Sequence, residues 1–284
     1  MKKLLILLLF IIVLGAILYF IIYAPSNDGP ITDMIYDINF TPSNLTEKQK
    51  SIIAHAGGSL YVDDVRYTYS NSYKAIKNSY EGGTRLCEID FLITPDNYQV
   101  AFHSWAGFLT KFFGVESKED YTHDEFMSFN MIGDAGQLDL DKIITLMNTE
   151  FTELILVTDT KDDNITLLTE IKEKYPKMMA RIIPQVYNQE EYKKAKEMGF
   201  ENIIYTLYES PDSDEEVVEF CKNNEVFAIT MPSARASEEF VASLKDLNVY
   251  VYTHTIDSLE DFEYLKSKKV DGIYTNDLTD LSKI

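Results

Sequence analysis

Short apolar runs alternate with segments of helical periodicity along most of this chain. The apolar runs are rich in β-branched and aromatic residues, which is typical of strands. The nine predicted strands are Ser51–His55, Arg85–Ile93, Val100–His103, Glu153–Thr158, Arg181–Tyr187, Asn202–Leu207, Val226–Met231, Val249–Thr253 and Gly272–Thr275. Between them, apolar residues recur at spacings of three and four, which is typical of amphipathic helices. The seven predicted helices are Ser70–Tyr80, Leu138–Met147, Ile165–Lys174, Gln189–Glu197, Asp214–Cys221, Ser237–Leu244 and Leu259–Lys266. Repeated strand–helix units of this kind predict an α/β domain, a parallel sheet closed into a (β/α)8 TIM barrel.

The alternative is an open, doubly wound sheet, which would require a glycine-rich phosphate-binding loop. The chain offers only the pair Gly57-Gly58 there. The ninth strand is explained by a hairpin, because the connection Pro95–Tyr98 is too short for a parallel crossover. Folding about residues 95 and 96 predicts Glu88 opposite His103 and Asp90 opposite Ala101.

The N-terminus carries an uncharged apolar run, Leu4–Tyr23, long enough to span the hydrocarbon core of a bilayer. Lys2 and Lys3 precede it, which predicts a cytoplasmic N-terminus. We therefore expect a single-pass transmembrane anchor at residues 1–23, a tether at 24–50 and an extracytoplasmic barrel domain at 51–284. A cleaved secretory signal is the alternative, although its apolar core is usually shorter.

Composition narrows the choice of partners. The chain has 284 residues, 45% of them hydrophobic, which is enough for a full core. Its formal net charge of −20 argues against nucleic acid as a partner. The two cysteines, Cys87 and Cys221, are predicted to be buried thiols, not a disulfide framework.

Polar residues gather at the predicted carboxyl ends of the strands, which form the active face of such a barrel. They are His55, Glu88, Asp90, His103, Asp159, Lys161, Gln185, Thr206, His254 and Asp277. Among the carboxylates of this set, Glu88, Asp90 and Asp159 would repel one another. A hard divalent cation, Ca²⁺ or Mg²⁺, relieves that repulsion. Alternatively, Glu88 and Asp90 pair with Arg85 or Lys161 on a solvated rim.

Two histidines beside a metal held by carboxylates suit the cleavage of a phosphodiester. The metal neutralises charge on the phosphoryl oxygens. One imidazole removes a proton from the attacking hydroxyl or water, and the other protonates the leaving alkoxide. An imidazole pKa near 6.5 makes both roles available at neutral pH.

These segments also carry a family resemblance. The stretches His55–Gly58, Tyr69–Ser72, Cys87–Phe91, Ile93–Asn97 and Val100–His103 resemble the glycerophosphodiester phosphodiesterase family, which belongs to the phospholipase-C-like phosphodiesterase barrels. Weaker similarity extends the resemblance over about residues 51–278. It implies that residues 104–137 form an insertion that caps the substrate site.

The resemblance also assigns roles to the polar residues. It implies that His55 and His103 are the acid–base pair. It implies that Glu88, Asp90 and Asp159 hold the divalent metal. We expect Lys161 and His254 to contact substrate, with Lys161 supplying positive charge. The alternative for His254 is an exposed position or a place behind the residues that touch substrate.

The chain departs from the family pattern at four positions. Family members usually carry arginine where this chain has Ala56, and glutamate where it has Ser70. The third metal ligand is usually glutamate and is Asp159 here, and Ser104 replaces an aspartate. The joint loss of the arginine and the glutamate predicts a remodelled pocket.

The sequence therefore predicts a membrane-anchored, metal-dependent phosphodiesterase. Its substrate would be a glycerophosphodiester, a phospholipid headgroup or a phosphate-linked envelope polymer. A catalytically silent barrel that binds a phosphate or a glycan is the first alternative. A glycosidase built on Glu88 and Asp90 is the second, and it needs Asp159 or Glu209 as the opposing carboxylate.

Overall fold

The computed structural model describes residues 40–160 and 162–284. In chain order the strands are β1 (Ile52–Ala54), β2 (Leu60–Val62), β3 (Val65–Tyr67), β4 (Leu86–Ile93), β5 (Gln99–Ala101), β6 (Ile155–Thr160), β7 (Ile182–Val186), β8 (Ile204–Thr206), β9 (Ala228–Pro232), β10 (Tyr250–His254) and β11 (Gly272–Thr275). Strand β1 pairs in parallel with β11 on one side and with β4 on the other. Eight parallel strands, all except β2, β3 and β5, therefore form a closed ring. The predicted (β/α)8 barrel is confirmed, and the open sheet is excluded.

All seven predicted helices are present, with ends shifted by a few residues. The α-helices of the described ranges are Glu47–Lys50, Tyr73–Glu81, Phe108–Phe113, His123–Ser128, Leu140–Thr149, Asn164–Lys174, Gln189–Met198, Asp214–Asn223, Glu238–Lys245 and Leu259–Ser267. Side-chain caps fix where several of them begin. The Ser72 side chain accepts a hydrogen bond from the backbone N–H of Ala75, and the Asp139 side chain accepts one from that of Lys142. Such caps satisfy backbone donors that have no partner within the helix.

Apolar residues from the barrel strands fill its interior. Ile53, Val157 and Ile204 are fully buried there, as expected for parallel strands covered on both faces. Leu45 is buried against the same cluster, and Phe40 packs beside it. The residues just before β1 therefore belong to the packed core.

A hairpin that the sequence analysis did not predict follows β1. Strands β2 and β3 pair through a turn at Asp63 and Asp64, whose φ angles are +49° and +62°. Two positive φ angles in succession are the mark of a type I′ turn, which favours asparagine, aspartate or glycine. An aspartate pair is a weaker signal than Asn-Gly, so the turn was easy to miss. The hairpin carries Arg66 towards the mouth of the barrel.

The hairpin of β4 and β5 exists, but the predicted register is wrong by one residue. Phe91 faces Ala101, whereas the sequence analysis placed Asp90 there. The reason is the loop, in which Asn97 adopts φ +65°. A left-handed residue at that point makes a three-residue loop and not a two-residue one. His103 consequently lies beyond the end of β5.

Residues 104–137 form a compact layer whose apolar residues pack in one cluster with residues of β2, β4 and β5. Two short helices, Phe108–Phe113 and His123–Ser128, contribute Phe112 and Phe126 to it. The His123 imidazole fastens the layer to the barrel, with Nε2 at 2.9 Å from Asp139 Oδ2. His123 also stacks on Tyr98 at 4.3 Å between ring centroids.

The predicted membrane anchor, residues 1–23, lies outside the described residues, and so does most of the predicted tether. Within residues 40–160 and 162–284, each helix is too short or too polar to cross a bilayer. Cys87 and Cys221 are free and buried, which confirms the prediction made for both thiols.

Candidate active site

Three carboxylates meet at the carboxyl ends of two neighbouring strands. Glu88 and Asp90 come from β4, and Asp159 comes from β6, where it lies beside Asp90 in the parallel register. One oxygen from each carboxylate lies within 4.8 Å of the others, and all three side chains are buried. The three carboxylates do not lie on a solvated rim, because all are buried, and Arg85 pairs with Glu153 at 3.0 Å instead. Lys161, the other cation of that alternative, lies outside the described residues.

Uncharged donors orient each carboxylate. The backbone N–H of Ala56 donates to Glu88 Oε2 at 2.7 Å, and Asn71 Nδ2 donates to Asp90 Oδ2 at 2.9 Å. The Tyr187 hydroxyl donates to Asp159 Oδ1. These hydrogen bonds fix the direction of the oxygens. An all-oxygen donor set of this kind fits a hard divalent cation such as Ca²⁺ or Mg²⁺.

The two predicted catalytic histidines lie at the same end of the barrel. His55 follows β1, and its Nδ1 lies 3.0 Å from Asn276 Oδ1. His103 follows β5 and packs against Phe108 at 4.8 Å between ring centroids. The ring of Tyr69 contacts both imidazoles edge to face, at 4.6 Å from His55 and 4.8 Å from His103.

A cavity of about 160 Å³ opens over the carboxylates. It is lined by His55, Tyr69, Glu88, His103, Asp159, Gln185, Tyr187, Thr206, Tyr208, His254, Thr255 and Tyr274. Most polar residues predicted at strand ends are thus brought together. Asp90 lies in the carboxylate cluster, and Asp277 instead pairs with Arg66 at 2.7 Å. Lys161, predicted to contact substrate, lies outside the described residues.

His254 lines the cavity, and its contact with substrate stays a prediction. Its Nδ1 lies 3.1 Å from the Thr230 hydroxyl. Its ring packs edge to face on Tyr208 and Tyr274, at centroid distances of 5.6 Å and 6.1 Å. These contacts hold the imidazole at the cavity wall.

The tyrosines of the cavity, among them Tyr187, Tyr208 and Tyr274, were not predicted from the sequence. The Tyr274 hydroxyl donates to Gln185 Oε1 at 2.7 Å. Burial raises the pKa of Tyr274, and the charge of Glu88 adds to the effect, so this phenol stays protonated. Their position in the sequence could have identified two of them as site residues. Tyr187 and Tyr208 follow strand ends, as the predicted polar residues do.

The departures from the family pattern cluster beside the carboxylates. Ala56 is fully buried at φ +49°, and Ser70 is buried with its hydroxyl 3.0 Å from that of Ser72. The backbone N–H of Asn71 donates to the Ala56 carbonyl at 3.1 Å, which ties the two segments together. Small neutral residues therefore occupy both positions where the family usually places an arginine and a glutamate.

The glycosidase alternative does not fit this arrangement. Opposing carboxylates must be about 5 Å or more apart to flank a sugar. Asp159 lies in the same cluster as Glu88 and Asp90, and Glu209 is exposed and does not line the cavity.

The sequence model of the glycerophosphoryl diester phosphodiesterase family matches residues 55–279. A search of curated proteins finds no significant match. A glycerophosphodiester phosphodiesterase from Thermotoga maritima has 19% identity and a TM-score of 0.61, over 82% of this chain and 96% of that one. A glycerophosphoryl diester phosphodiesterase from Parabacteroides distasonis has 16% identity and a TM-score of 0.65, over 82% and 85%. An Oleispira antarctica phosphodiesterase in complex with the product sn-glycerol-3-phosphate has 15% identity and a TM-score of 0.65, over 82% and 95%.

At these identities the three solved structures show a shared fold. The family match is independent of them and runs from His55 to beyond the last barrel strand. The chain therefore belongs to the glycerophosphoryl diester phosphodiesterase family and is, by that membership, a phosphoric diester hydrolase.

Proposed function

We propose that this chain is a metal-dependent enzyme that hydrolyses a glycerophosphodiester or a diester of similar chemistry. One observation carries the proposal: two histidines line a single cavity together with Glu88 and Asp159, two members of a cluster of three buried carboxylates. Carboxylates at such short separation favour a divalent cation, and paired imidazoles favour proton transfer at neutral pH.

Each group then has a chemical role. Glu88, Asp90 and Asp159 hold the cation, which would neutralise charge on the phosphoryl oxygens when bound. One histidine takes the proton of the attacking hydroxyl or water, and the other donates a proton to the leaving alkoxide. Tyr69 contacts both rings and keeps them in place.

The volume of the cavity limits how much of the substrate it can hold. About 160 Å³ holds a phosphate with a small alcohol, so larger substituents extend past the lip, where Tyr208 is 63% exposed. We propose that Lys161 and His254 contact the phosphodiester in place of the usual arginine. The complex of the Oleispira antarctica phosphodiesterase with sn-glycerol-3-phosphate supports a glycerophosphate product here.

The decisive experiment assays the full-length protein on a panel of glycerophosphodiesters with Ca²⁺ or Mg²⁺. We expect hydrolysis that a chelator abolishes and that His55→Gln lowers about 100-fold or more, the usual worth of general acid–base catalysis. His123→Gln is the matched control, because His123 lies in the insertion and away from the cavity lining. Turnover that survives both the chelator and His55→Gln would refute the proposal.

A catalytically silent barrel is the second candidate, favoured by the small neutral residues Ala56 and Ser70. It predicts that glycerophosphodiesters bind without being cleaved. Isothermal titration of the same panel, followed by analysis of the recovered ligand, separates the two candidates. Intact ligand after saturating binding would establish the silent barrel.

We also propose that residues 1–23 anchor the chain in a membrane with the barrel outside the cytoplasm. The uncharged run Leu4–Tyr23 and the preceding Lys2 and Lys3 support this. Tethering raises the local concentration of substrates in the envelope. Fractionation of cells tests the proposal, together with protease protection of the barrel. Recovery of the full-length chain in the soluble fraction would contradict it.

A further inference from the structure

A continuous chain of hydrogen bonds runs from the unpredicted hairpin to His55. Arg66 Nη2 lies 2.5 Å from Asp257 Oδ2. Asp257 in turn accepts from the Asn276 side chain, with Nδ2 at 3.0 Å from Oδ2, and from the Asn276 backbone N–H at 2.7 Å. Asn276 Oδ1 lies 3.0 Å from His55 Nδ1. Sequence analysis singled out only His55 among these residues.

The chemistry of the donors and acceptors fixes the orientation of Asn276. Burial, the largest influence, raises the pKa of Asp257, but hydrogen bonds from Asn276 and Arg66 together outweigh it and lower the pKa. The carboxylate is therefore ionised at neutral pH and can only accept hydrogen bonds. The Asn276 amide must turn its NH₂ towards Asp257, so its oxygen faces the imidazole. Facing an acceptor, His55 Nδ1 must carry the proton.

We propose that Asn276, Asp257 and Arg66 are positioning residues that hold His55 with its proton on Nδ1, which makes Nε2 the proton-accepting atom of the reaction. The assignment deepens the proposed phosphodiesterase function and rests on it. The proton of the attacking oxygen passes to Nε2 of His55 as the new P–O bond forms. The other P–O bond breaks, and His103 supplies the proton that the departing alkoxide needs.

Arg66 completes the arrangement from outside the barrel. Its guanidinium also binds Asp277, with Nη2 at 2.7 Å from Oδ2, and its Nε lies 3.2 Å from the Ser59 hydroxyl. One cation thus joins the carboxylates of Asp257 and Asp277, which would otherwise repel each other. The hairpin of β2 and β3 is the element that delivers this cation.

The position of the imidazole proton can be measured without any substrate. The chain has four histidines, so ¹⁵N-histidine labelling of the full-length protein gives few signals, and His55→Gln assigns the one of interest. We expect His55 in the wild type to be protonated on Nδ1 alone when neutral. Asn276→Ala and the isosteric Asp257→Asn should both yield a mixture of the two tautomers.

A matched control is available at the opposite end of the barrel. Asp271 likewise pairs with a cation, Lys245 at 2.6 Å, and accepts from the backbone N–H of Val251 at 2.8 Å. Asp271→Asn should leave the His55 tautomer and the turnover unchanged. An equal effect of Asp271→Asn and Asp257→Asn would overturn the proposal, because it would show a general loss of stability.

Kinetics give the second measurement. Asn276→Ala and Asp257→Asn should lower kcat about 10- to 100-fold, the usual cost of losing a partner that orients an active-site imidazole, and leave KM within a few-fold. A wild-type His55 protonated on Nε2, or a tautomer indifferent to both substitutions, would overturn the proposal. If the wild type cleaves no diester, the proposed function fails and the tautomer assignment is decided by the spectra alone.

Discussion

Tyr69 begins one of the stretches that carry the family resemblance, but the sequence assigned it no role. It adopts φ +64°, in the left-handed region that residues other than glycine rarely enter. Its ring contacts the two imidazoles from the loop between β3 and the helix Tyr73–Glu81. A strained backbone that places one ring against two histidines indicates that the ring itself matters.

Replacing this ring gives the first prediction. We expect Tyr69→Ala to lower kcat about tenfold, because each edge-to-face aromatic contact contributes about 0.5–1.5 kcal/mol to holding the imidazoles. Tyr69→Phe keeps the ring and is the matched control, with kcat close to that of the wild type. Steady-state kinetics on a glycerophosphodiester measure both. A loss of kcat in Tyr69→Phe as large as that in Tyr69→Ala would show that the hydroxyl matters and that ring packing does not.

Asp257 gives the free energy of unfolding a dependence on pH. Its pKa is lower in the folded chain than the ordinary value of 3.8, since hydrogen bonds from Asn276 and Arg66 together outweigh the larger single effect of burial. A carboxyl with a depressed folded pKa stabilises the protein above its unfolded pKa, and the contribution is lost as the pH falls through the folded pKa.

The second prediction follows from the lowered pKa of Asp257. The wild type should exceed Asp257→Asn in unfolding free energy at about pH 6, and the difference should shrink towards about pH 2. Urea unfolding at both pH values measures it, with Asp277 and Arg66 left unchanged in both proteins. A difference that grows in acid would contradict the assignment of an ionised Asp257.

Among single residues, the sequence predicted the site residues that follow apolar strands. It did not predict those that loops contribute to the site. His55, Glu88, Asp90, His103 and Asp159 follow apolar runs, so their common location was predictable. Asp257 and Asn276 were not linked in advance, because their contact depends on how two loops turn after β10 and β11. Loop geometry depends on individual φ angles, which periodicity does not encode.

At the start of β11, Gly272 leaves no room for a side chain. A Cβ on Gly272 would lie 2.6 Å from the carbonyl oxygen of Ser51 and 2.7 Å from a ring carbon of Tyr252. The carbonyl belongs to the backbone just before β1, so it cannot move away cheaply. Glycine at this point allows β11 to pair with β1 and close the barrel.

The third prediction concerns this glycine. Gly272→Ala should lower the free energy of unfolding by about 3 kcal/mol, near the upper end of the range for overpacked sites. Gly114→Ala is the control, since a Cβ there meets nothing within 4 Å. Its cost should be limited to the positive φ, about 1 kcal/mol. Chemical denaturation measures both, and equal losses would contradict the steric explanation.

The two hairpins show which features the hydrophobic pattern does not predict. The sequence predicted the hairpin of β4 and β5 from the shortness of its connection, but the left-handed Asn97 shifted the register by one residue. The hairpin of β2 and β3 was missed because its turn residues are both aspartates. Turn type depends on backbone angles at one or two residues, and the hydrophobic pattern carries no information about those angles.

For the whole molecule, the carboxylate cluster couples cation binding to stability. A ligand that binds only the folded state adds stability, about 2.7 kcal/mol at a concentration 100 times Kd. The fourth prediction is that Ca²⁺ or Mg²⁺ raises the Tm of the wild type and not that of Asp90→Asn. Without metal, Asp90→Asn should be the more stable protein, since it relieves repulsion in the cluster.

The control for this experiment is Asp124→Asn, because the side chain of Asp124 is fully exposed in the insertion. The Tm of Asp124→Asn should rise with the metal as that of the wild type does. Differential scanning calorimetry, with and without chelator, gives all three values. A metal-induced shift of equal size in Asp90→Asn would place the cation elsewhere.

The closure of the barrel at β1 determines when the active site forms during folding. His55 leaves β1 between β4, which carries Glu88, and β11, which leads to Asn276. These partners are separated by most of the sequence, so a partly folded chain has no assembled site. If the barrel lies outside the cytoplasm, as we propose, and crosses the membrane unfolded, it would therefore be inert during export. Its chemistry would start only after the seam closes on the far side, and the phosphodiesters of the cell interior would not be cleaved.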